Sequence, residues 1–452
     1  MIAISLPVRL AIRRWAQALA TFLALPVCML ASAQPSPAPQ PQSPPPAASA
    51  APTPSAMQPL LRAASQALEA KDHARTLELV EQHLGEHPKD ADGYGLKADA
   101  LQELGRIALA VEASREATIL NPGKFEHWNR LCWYQILAHQ PLRARPACEQ
   151  ARVVDPANWM AIVNLGHTWL LTGDAETAQR YYRDTVWRVP DEAALNSGPL
   201  ADFHLFLSKG WQPRAALASE KWFERTWPQW QTAEVSFLQV KLLTAAGELG
   251  KAVAPAQQMV KLALDILGDA HPVSAHLMGR LATVYRSLGQ PAQALPLYRR
   301  ALAISEKAEG SEHPSIGKSL NNLALLFQDM GQYAQALPLS QRALAISEKA
   351  EGPDHPETGT RLNNLANLYR DMGQYAHALP LFQRALAISE KTEGPDHPST
   401  GTTLNNLASL YEAMGQYAQA LPLFQRALAI SEKAEGPDHP STGTTLNNLA
   451  SL

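Results

Sequence analysis

Pairs of asparagines recur at a fixed spacing in the second half of this chain, and their side chains are well suited to holding a ligand. Four pairs lie 42 residues apart: Asn321 and Asn322, Asn363 and Asn364, Asn405 and Asn406, and Asn447 and Asn448. An amide side chain offers both donors and an acceptor, so it can bond to the main chain of an extended peptide without reading its sequence. Asparagine is an indifferent helix former, so its repetition needs a reason. A second reading is that one asparagine of each pair bonds to the next repeat and holds the stack together.

More polar side chains follow the pairs on the same helical flank. They are Gln328, Asn367, Arg370 and Glu412, followed by Asp329 and Asp371. These residue types vary between repeats, so they would set specificity if the flank binds a ligand. Ordinary solvated side chains would give the same pattern, and both readings stay open.

Histidines recur at the same spacing, each directly before a proline. They are His271, His313, His355, His397 and His439. A metal site would need such side chains to converge, whereas stacked repeats place equivalent atoms roughly 10 Å apart. We therefore expect turn residues here, with no metal site and no cofactor. The sequence also lacks GxSxG, HExxH and P-loop patterns, so it predicts no enzyme.

Cysteine is scarce, and one pair of cysteines could be bonded. Cys28 lies near the amino terminus, and Cys132 and Cys148 fall on the two helices of one predicted hairpin. An oxidising compartment would permit a disulfide between the latter two. The other reading is a pair of small buried core residues.

These side chains sit within a repeated helical unit. The run LNNLALLF begins at Leu320, close copies follow at Leu362, Leu404 and Leu446, and weaker copies lie around Met278 and Ser236. Leucines and other apolar residues recur within the run at the i, i+3, i+4, i+7 spacing of a buried helix face. A fixed period of this length predicts a solenoid, in which each unit buries its apolar face against its neighbours.

A shorter period precedes this one. Pro88, Pro122, Pro156 and Pro190 lie 34 residues apart, each after a helical pattern that it would end. We therefore divide the folded chain into four 34-residue units over 57–192, a degenerate helical junction over 193–235, and 42-residue units over 236–452, the last incomplete. The junction holds Trp211, Trp222, Trp227 and Trp230, which are either packing filler or an aromatic ligand patch.

The 34-residue units resemble the tetratricopeptide repeat, with small residues such as Gly166 and Ala178 between its helices and Pro190 as the stop. The 42-residue units, with LNNLA, GQYAQALPL, RALAISEK and GPDHP, look like the kinesin light chain variety of that repeat. The resemblance implies a right-handed all-α solenoid. It also implies that a peptide binds in the concave groove, with the asparagines above, Gln328 and Arg370 as groove residues.

The amino terminus is typical of an export signal. Arg9, Arg13 and Arg14 precede an uncharged stretch that ends in Ala31-Ser32-Ala33, a small-x-small cleavage pattern. Residues 1–33 are thus predicted to be a signal peptide, with an uncleaved membrane anchor as the alternative. Residues 34–56 are rich in proline and alanine and carry no charge, so they predict a disordered linker. The style of the signal is bacterial, and we predict a periplasmic or secreted protein.

The net charge of the chain limits the kinds of partner that it could bind. The formal net charge is −3 and no basic run follows the amino terminus, so we expect no nucleic-acid partner and, after cleavage, no membrane partner.

We predict an exported, non-catalytic scaffold that binds a peptide or protein. Leu452 falls early in a helix, which suggests a fragment or a docking end. The alternative is the sensing arm of a larger protein whose effector domain, such as a protease, lies beyond residue 452.

Overall fold

The computed structural model describes residues 59–437 and 439–452, so the predicted signal peptide and linker lie outside it. Every regular element in these residues is a helix, which confirms the all-α class. The chain divides into two compact parts, here called the N-terminal part (up to Pro228) and the C-terminal part (from Gln229). This division falls within the stretch 193–235 that the sequence marked as a junction.

The N-terminal part is built from helical hairpins. Its helices are α1 (Pro59–Glu69), α2 (His73–Glu86), α3 (Ala91–Glu103), α4 (Ile107–Leu120), α5 (Phe125–Leu137), α6 (Pro141–Val154), α7 (Trp159–Leu171), α8 (Ala175–Val186), α9 (Glu192–Leu195) and α10 (Ala201–Ser208). A π-helical turn, Asn196–Leu200, joins the last two. Helix α11 (Pro213–Ala245) contains the division between the two parts.

The C-terminal part continues the hairpin pattern with longer helices. They are α12 (Leu249–Leu267), α13 (Pro272–Ser287), α14 (Pro291–Glu309), α15 (Pro314–Asp329), α16 (Tyr333–Ala350), α17 (Pro356–Asp371), α18 (Tyr375–Thr392), α19 (Pro398–Ala413), α20 (Tyr417–Glu435) and α21 (Pro440–Ala450). We call α13, α15, α17, α19 and α21 first helices, and α14, α16, α18 and α20 second helices.

Local sequence signals set where each of these helices begins and turns. In the C-terminal part the recurrent histidine is the N-cap and the following proline is the first helical residue, where its missing N–H costs nothing. His355 Nδ1 accepts a bond from the Glu357 backbone N–H at 3.2 Å. The first helices α13, α15, α17 and α19 are each followed by a glycine with positive φ, for example Gly331 at 69° and Gly373 at 71°. The histidines, which the sequence predicted to be turn residues, therefore cap the amino-terminal ends of the helices that follow them.

The core lies between the two helices of each hairpin and between neighbouring hairpins. Leu320 and Ala324 on α15 and Ala336 and Ala343 on α16 are buried, as the apolar spacing predicted. Helices also touch the helices next to them in the chain. Each hairpin thus buries its apolar faces against its neighbours, which makes each part a helical solenoid.

The first helices lie on the inner side of the stack. Consecutive first helices contact one another, as α15, α17 and α19 do, whereas second helices such as α16 and α18 approach each other less closely. The side on which neighbours come closest is the inner side of a curved stack. The asparagine pairs lie on these first helices.

The junction is helical but irregular. Gly198 departs from helical geometry, with φ −106° and ψ −107°, and a Cβ at this position would lie 2.7 Å from the Trp159 ring. Pro199 follows and has no N–H to donate. Trp211 stacks on His139 with ring centroids 4.6 Å apart.

The four tryptophans of the junction contribute to packing. They are buried or half-buried: Trp211, Trp222, Trp227 and Trp230. Trp227 Nε1 donates to the Val189 carbonyl at 3.4 Å. The structure favours the packing reading of this stretch over an exposed aromatic patch.

Cys132 on α5 and Cys148 on α6 form a disulfide within one hairpin, and both side chains are fully buried. The sequence allowed either a disulfide or two buried thiols, and the structure contains the disulfide. In the part of the chain that the structure describes, no helix combines the length and hydropathy needed to span a membrane.

Candidate functional site

The asparagine pairs form hydrogen bonds between consecutive repeats of the C-terminal part. The second asparagine of one repeat donates its side-chain amide to the first asparagine of the repeat before it. The bonds join Asn364 to Asn321 (3.0 Å), Asn406 to Asn363 (3.2 Å) and Asn448 to Asn405 (3.2 Å). We call this series the asparagine ladder, and its bonds join consecutive first helices.

The ladder does not use up the hydrogen-bonding capacity of these side chains. Each rung takes one donor and one acceptor, and an amide has two N–H groups and two lone pairs. Asn321 is only 5% exposed, but Asn363, Asn364, Asn405 and Asn406 are half-buried and reach solvent on the inner side. The asparagine pairs can therefore bond between repeats and still have capacity to bind a ligand.

The ladder is interrupted at its amino-terminal end. The partner of Asn322 would be residue 279, which is a glycine. Asn322 is half-buried and its side chain makes no hydrogen bond within the described residues. Asn322 is therefore the predicted groove asparagine whose side-chain amide is most available for a ligand.

A second row of polar contacts runs along the carboxyl ends of the first helices, here called the acidic row. Arg286 Nε lies 3.3 Å from Asp329 Oδ2 on the next first helix. Gln328 Nε2 donates to Asp371 Oδ2 at 2.6 Å in the same way. Gln328, predicted as a groove residue, is thus engaged between repeats.

The acidic row is interrupted one repeat later. The counterpart of Asp371 on α19 is Ala413, and within the described residues Arg370 makes no hydrogen bond or ion pair across the repeats. Arg370 turns instead to its own neighbour, with Nη2 3.0 Å from Asp371 Oδ1. The side chain of Arg370 remains partly solvent-accessible, at 26% exposed.

Asn367, the remaining predicted groove residue, lies one turn after the pair on α17. Its side-chain amide donates to the Asn363 backbone carbonyl at 3.1 Å, and it is half-buried. Its side-chain carbonyl oxygen accepts no hydrogen bond within the described residues.

A basic cluster at the start of the C-terminal part was not predicted from the sequence. Arg280 Nε donates to His276 Nε2 at 3.0 Å, and its guanidinium lies 4.7 Å from the centre of the Phe237 ring. The side chain of His276 reaches solvent, but the protein packed around its ring and the charges of Arg280 and Lys318 lower its pKa to about 4. His276 is therefore neutral at pH 7. The available signal was that positions 279 and 280 hold Gly and Arg where later repeats hold paired asparagines.

The N-terminal part has equivalent contacts between the first helices of its own hairpins, α3, α5 and α7. Asn164 Nδ2 donates to Asn129 Oδ1 at 3.1 Å, and Asp99 accepts a bond from the Tyr134 hydroxyl at 2.5 Å. Burial and the Asp99 carboxylate raise the pKa of the Tyr134 hydroxyl. These contacts show the same principle of stacking in shorter repeats.

One buried group in this part has the residue types of a catalytic triad. His167 Nδ1 lies 3.0 Å from the Tyr182 hydroxyl and its Nε2 lies 3.1 Å from Asp202 Oδ2. Tyr182 and His167 are fully buried, and burial raises the pKa of Tyr182 well above its ordinary value. A hydroxyl without access to solvent and with a raised pKa is no nucleophile, so this group serves the core.

Comparisons with known proteins agree with this geometry. Models of the tetratricopeptide repeat match residues 315–391, 362–433 and 399–452, and two others match 274–315 and 91–124. No curated protein sequence matches the chain.

Three solved structures are among those similar to the chain. One holds the nearly identical TPR-like repeats of a Podosopora anserina protein assigned as a kinesin light chain, with 30% identity, 44% of this chain and 95% of that chain covered, and a TM-score of 0.38. BtubC (BKLC) from P. vanneervenii has 23% identity, with 53% and 92% covered and a TM-score of 0.40. MamA protein has 15% identity, with 46% and 97% covered and a TM-score of 0.29.

Proposed function

Because this chain belongs to the tetratricopeptide-repeat family, with C-terminal repeats of the kinesin light chain type, we propose that it is an exported, non-catalytic scaffold. It binds a peptide or a segment of a protein partner along the inner side of its first helices. The observation that carries this proposal is the row of half-buried amides on consecutive first helices, each with hydrogen-bonding capacity beyond the ladder.

The chemistry of this surface favours holding a main chain. Amides at successive repeats can donate to peptide carbonyls and accept from peptide N–H groups. Asn322 and Asn367 provide a free amide and a free carbonyl on adjacent repeats. An extended peptide exposes both kinds of group along its length, so it can meet such a surface.

The arrangement of the polar groups in the described residues supports a non-catalytic role. The polar side chains on the first helices either bond to the neighbouring repeat or lie on the surface without a second reactive group beside them. The group of His167, Tyr182 and Asp202 is closed to a substrate. Tetratricopeptide repeats in general bind proteins, and this surface offers the means to bind one.

Export is supported by two independent features. The amino terminus has the charge and cleavage pattern of a signal peptide. The Cys132–Cys148 disulfide is a bond that persists in oxidising compartments such as the periplasm.

Site-directed cross-linking tests the binding surface. A photo-reactive amino acid replaces Leu325, which lies on the inner side of α15, and in a matched variant it replaces Lys307, which is exposed on the second helix α14. With the full chain in a periplasmic extract, Leu325 is expected to cross-link a partner that Lys307 does not. Equal labelling from both positions, or labelling from Lys307 alone, would refute binding on the inner side.

The export proposal has its own test. The chain is expressed in a bacterium, fractionated, and its amino terminus sequenced. A periplasmic chain that begins at Gln34, with both remaining cysteines protected from a thiol reagent, is the expected result. A chain that keeps Met1 and stays in the cytoplasm would contradict export and leave the binding proposal standing.

A further inference from the structure

We propose that the contact between the second and third hairpins of the N-terminal part is an acid-sensitive joint, and that the buried imidazole of His127 is its sensor. The joint is the contact between α3 of the second hairpin and α5 of the third. The inference goes beyond the proposed function, because it concerns the N-terminal part alone and does not depend on what the chain binds.

A row of polar bonds joins α5 and the turn before it to two carboxylates of α3. Lys124 Nζ lies 2.6 Å from Asp92 Oδ1. Arg130 Nε donates to Asp99 Oδ1 at 2.8 Å, and the Tyr134 hydroxyl donates to the same oxygen at 2.5 Å. Two cations thus meet two carboxylates, so the charges of the joint are balanced.

His127 lies in the middle of this row, three residues after Lys124 and three before Arg130, a spacing that places all three on one side of the helix. The His127 side chain is fully buried, and neither ring nitrogen makes a hydrogen bond within the described residues. Nε2 lies 3.5 Å from Asp92 Oδ1, which already bonds to Lys124. A buried polar group without a hydrogen bond costs stability. An apolar side chain of this size would hold the joint at least as well, so the histidine calls for another reason.

Gly95 on α3 allows α5 to approach the ring closely. A Cβ added at Gly95 would lie 3.0 Å from Arg130 Nη1 and 3.6 Å from His127 Nδ1. Glycine is a poor helix former, and the close approach of these two side chains explains its place inside the helix. The two helices thus enclose the ring and separate it from solvent, at 0% exposed.

Protonation of His127 would add a charge that the joint does not balance. Burial is the largest effect on the ring and lowers the pKa of His127 below its ordinary value. Asp92 favours the protonated form, the charges of Lys124 and Arg130 oppose it, and Glu126 on α5 favours it least. His127 is therefore neutral at pH 7. A bound proton would put a third cation beside two carboxylates that are already paired.

The sign of the pH dependence follows from this lowered pKa. In the unfolded chain the imidazole titrates near 6.5, so below that pH the unfolded state binds the proton more readily than the folded state. The stability of the joint is full above pH 6.5 and is lost as the pH falls through the lower pKa of the folded chain.

The joint between the first and second hairpins has a buried histidine with a different arrangement. His83 Nε2 lies 2.6 Å from Asp90 Oδ2, in a hydrogen bond that a protonated ring can keep. His83 is thus bonded to a carboxylate directly, whereas His127 stands beside a carboxylate that a lysine holds. Between these two joints, we expect the response to acid at the one between α3 and α5.

Substitutions that cannot take up a proton test the proposal in the full chain. H127M is apolar and of similar size, and H127Q is polar and neutral at every pH; H127Q carries the test where methionine packs poorly. H276Q is the matched control, because it removes a histidine of the C-terminal part. Hydrogen exchange followed by mass spectrometry is measured at pH 7.5 and pH 5.0, with labelling times scaled to the intrinsic exchange rate. Peptides from α7 and α8 are the internal reference.

In the parent, peptides from α3 and α5 are expected to lose about threefold or more protection at pH 5.0, relative to those from α7 and α8. H276Q should behave as the parent does, whereas H127M and H127Q should lose this difference. At pH 7.5, H127M should unfold at the same urea concentration as the parent or a higher one, because no hydrogen bond is removed.

Equal protection of α3 and α5 at the two pH values in the parent would overturn the inference, as would an undiminished loss in both H127M and H127Q. Lower urea midpoints for both variants at pH 7.5 would also overturn it, because the neutral ring would then serve packing alone.

Discussion

Asn364 donates its side-chain amide to Asn321, which lies 43 residues earlier in the chain, one residue more than the repeat length. The same offset joins Gln328 to Asp371. In the shorter repeats of the N-terminal part, Asn164 and Asn129 lie 35 residues apart, again the repeat length plus one. Consecutive first helices therefore meet in a register displaced by one residue, and this displacement decides which side chains pair.

Breaking one rung of the asparagine ladder should lower stability, whereas an equal change at the interruption should not. N364A leaves the Asn321 carbonyl without its partner in a site that is only 5% exposed, and the loss of such a bond costs about 1 kcal/mol. N322A removes an amide that has no partner. Urea unfolding followed by circular dichroism should show a lower midpoint for N364A alone. Equal midpoints for both variants would mean that the ladder does not stabilise the stack.

The sequence predicted the repeats and the core stripe, because these follow from periodicity. Leu320 and Ala324 are buried as the i, i+3, i+4, i+7 spacing requires. It could not show which asparagine bonds to which, because the one-residue displacement arises from the way neighbouring helices pack. For the same reason Gln328 looked like a free specificity residue, although Asp371 on the next repeat binds it.

A methyl group added at Gly166 should be poorly tolerated. Its Cβ would lie 2.8 Å from Tyr182 Cδ1, in a ring that is fully buried and cannot move aside. Overpacking of this kind costs about 1–3 kcal/mol. G279A is the matched control, since its Cβ meets open space and alanine is the better helix former. Thermal unfolding should therefore give a lower midpoint for G166A and an equal or higher one for G279A; the same fall in both would contradict the close approach of α7 and α8.

Reduction of the disulfide should destabilise the N-terminal part. Cys132 and Cys148 are separated by 16 residues, and closing a loop of this size contributes about 3 kcal/mol by restricting the unfolded chain. The double variant C132S/C148S should show a lower thermal midpoint that dithiothreitol no longer changes. A parent chain whose midpoint is insensitive to dithiothreitol under unfolding conditions would contradict the bond.

The junction shows where pattern-based reasoning ends. The sequence predicted helices there, and the tryptophans allowed two readings. The departure from helical geometry at Gly198 depends on the approach of the Trp159 ring, which lies far away in the sequence. Such a contact has no periodic signal, so only the folded structure could show it.

Stability should depend on pH through His276, and the sign follows from its lowered pKa. In the unfolded chain the imidazole titrates near 6.5, whereas in the folded chain it titrates at about 4 because of the surrounding protein and the charges of Arg280 and Lys318. Between these values the unfolded state binds the proton more readily, so stability is full above pH 6.5 and falls as the pH is lowered toward 4. H276Q stays neutral throughout and should lose this dependence.

Urea midpoints of the parent and H276Q, compared at pH 7.5 and pH 4.5, isolate the contribution of His276 from that of the carboxylates that titrate in both chains. The parent should lose more stability than H276Q on acidification. Titration of the His276 ring protons by NMR supplies the direct measurement. Because Arg280 donates to the unprotonated Nε2 of His276, protonation must break that bond, so a midpoint close to 6.5 would mean that the cluster is not formed in solution.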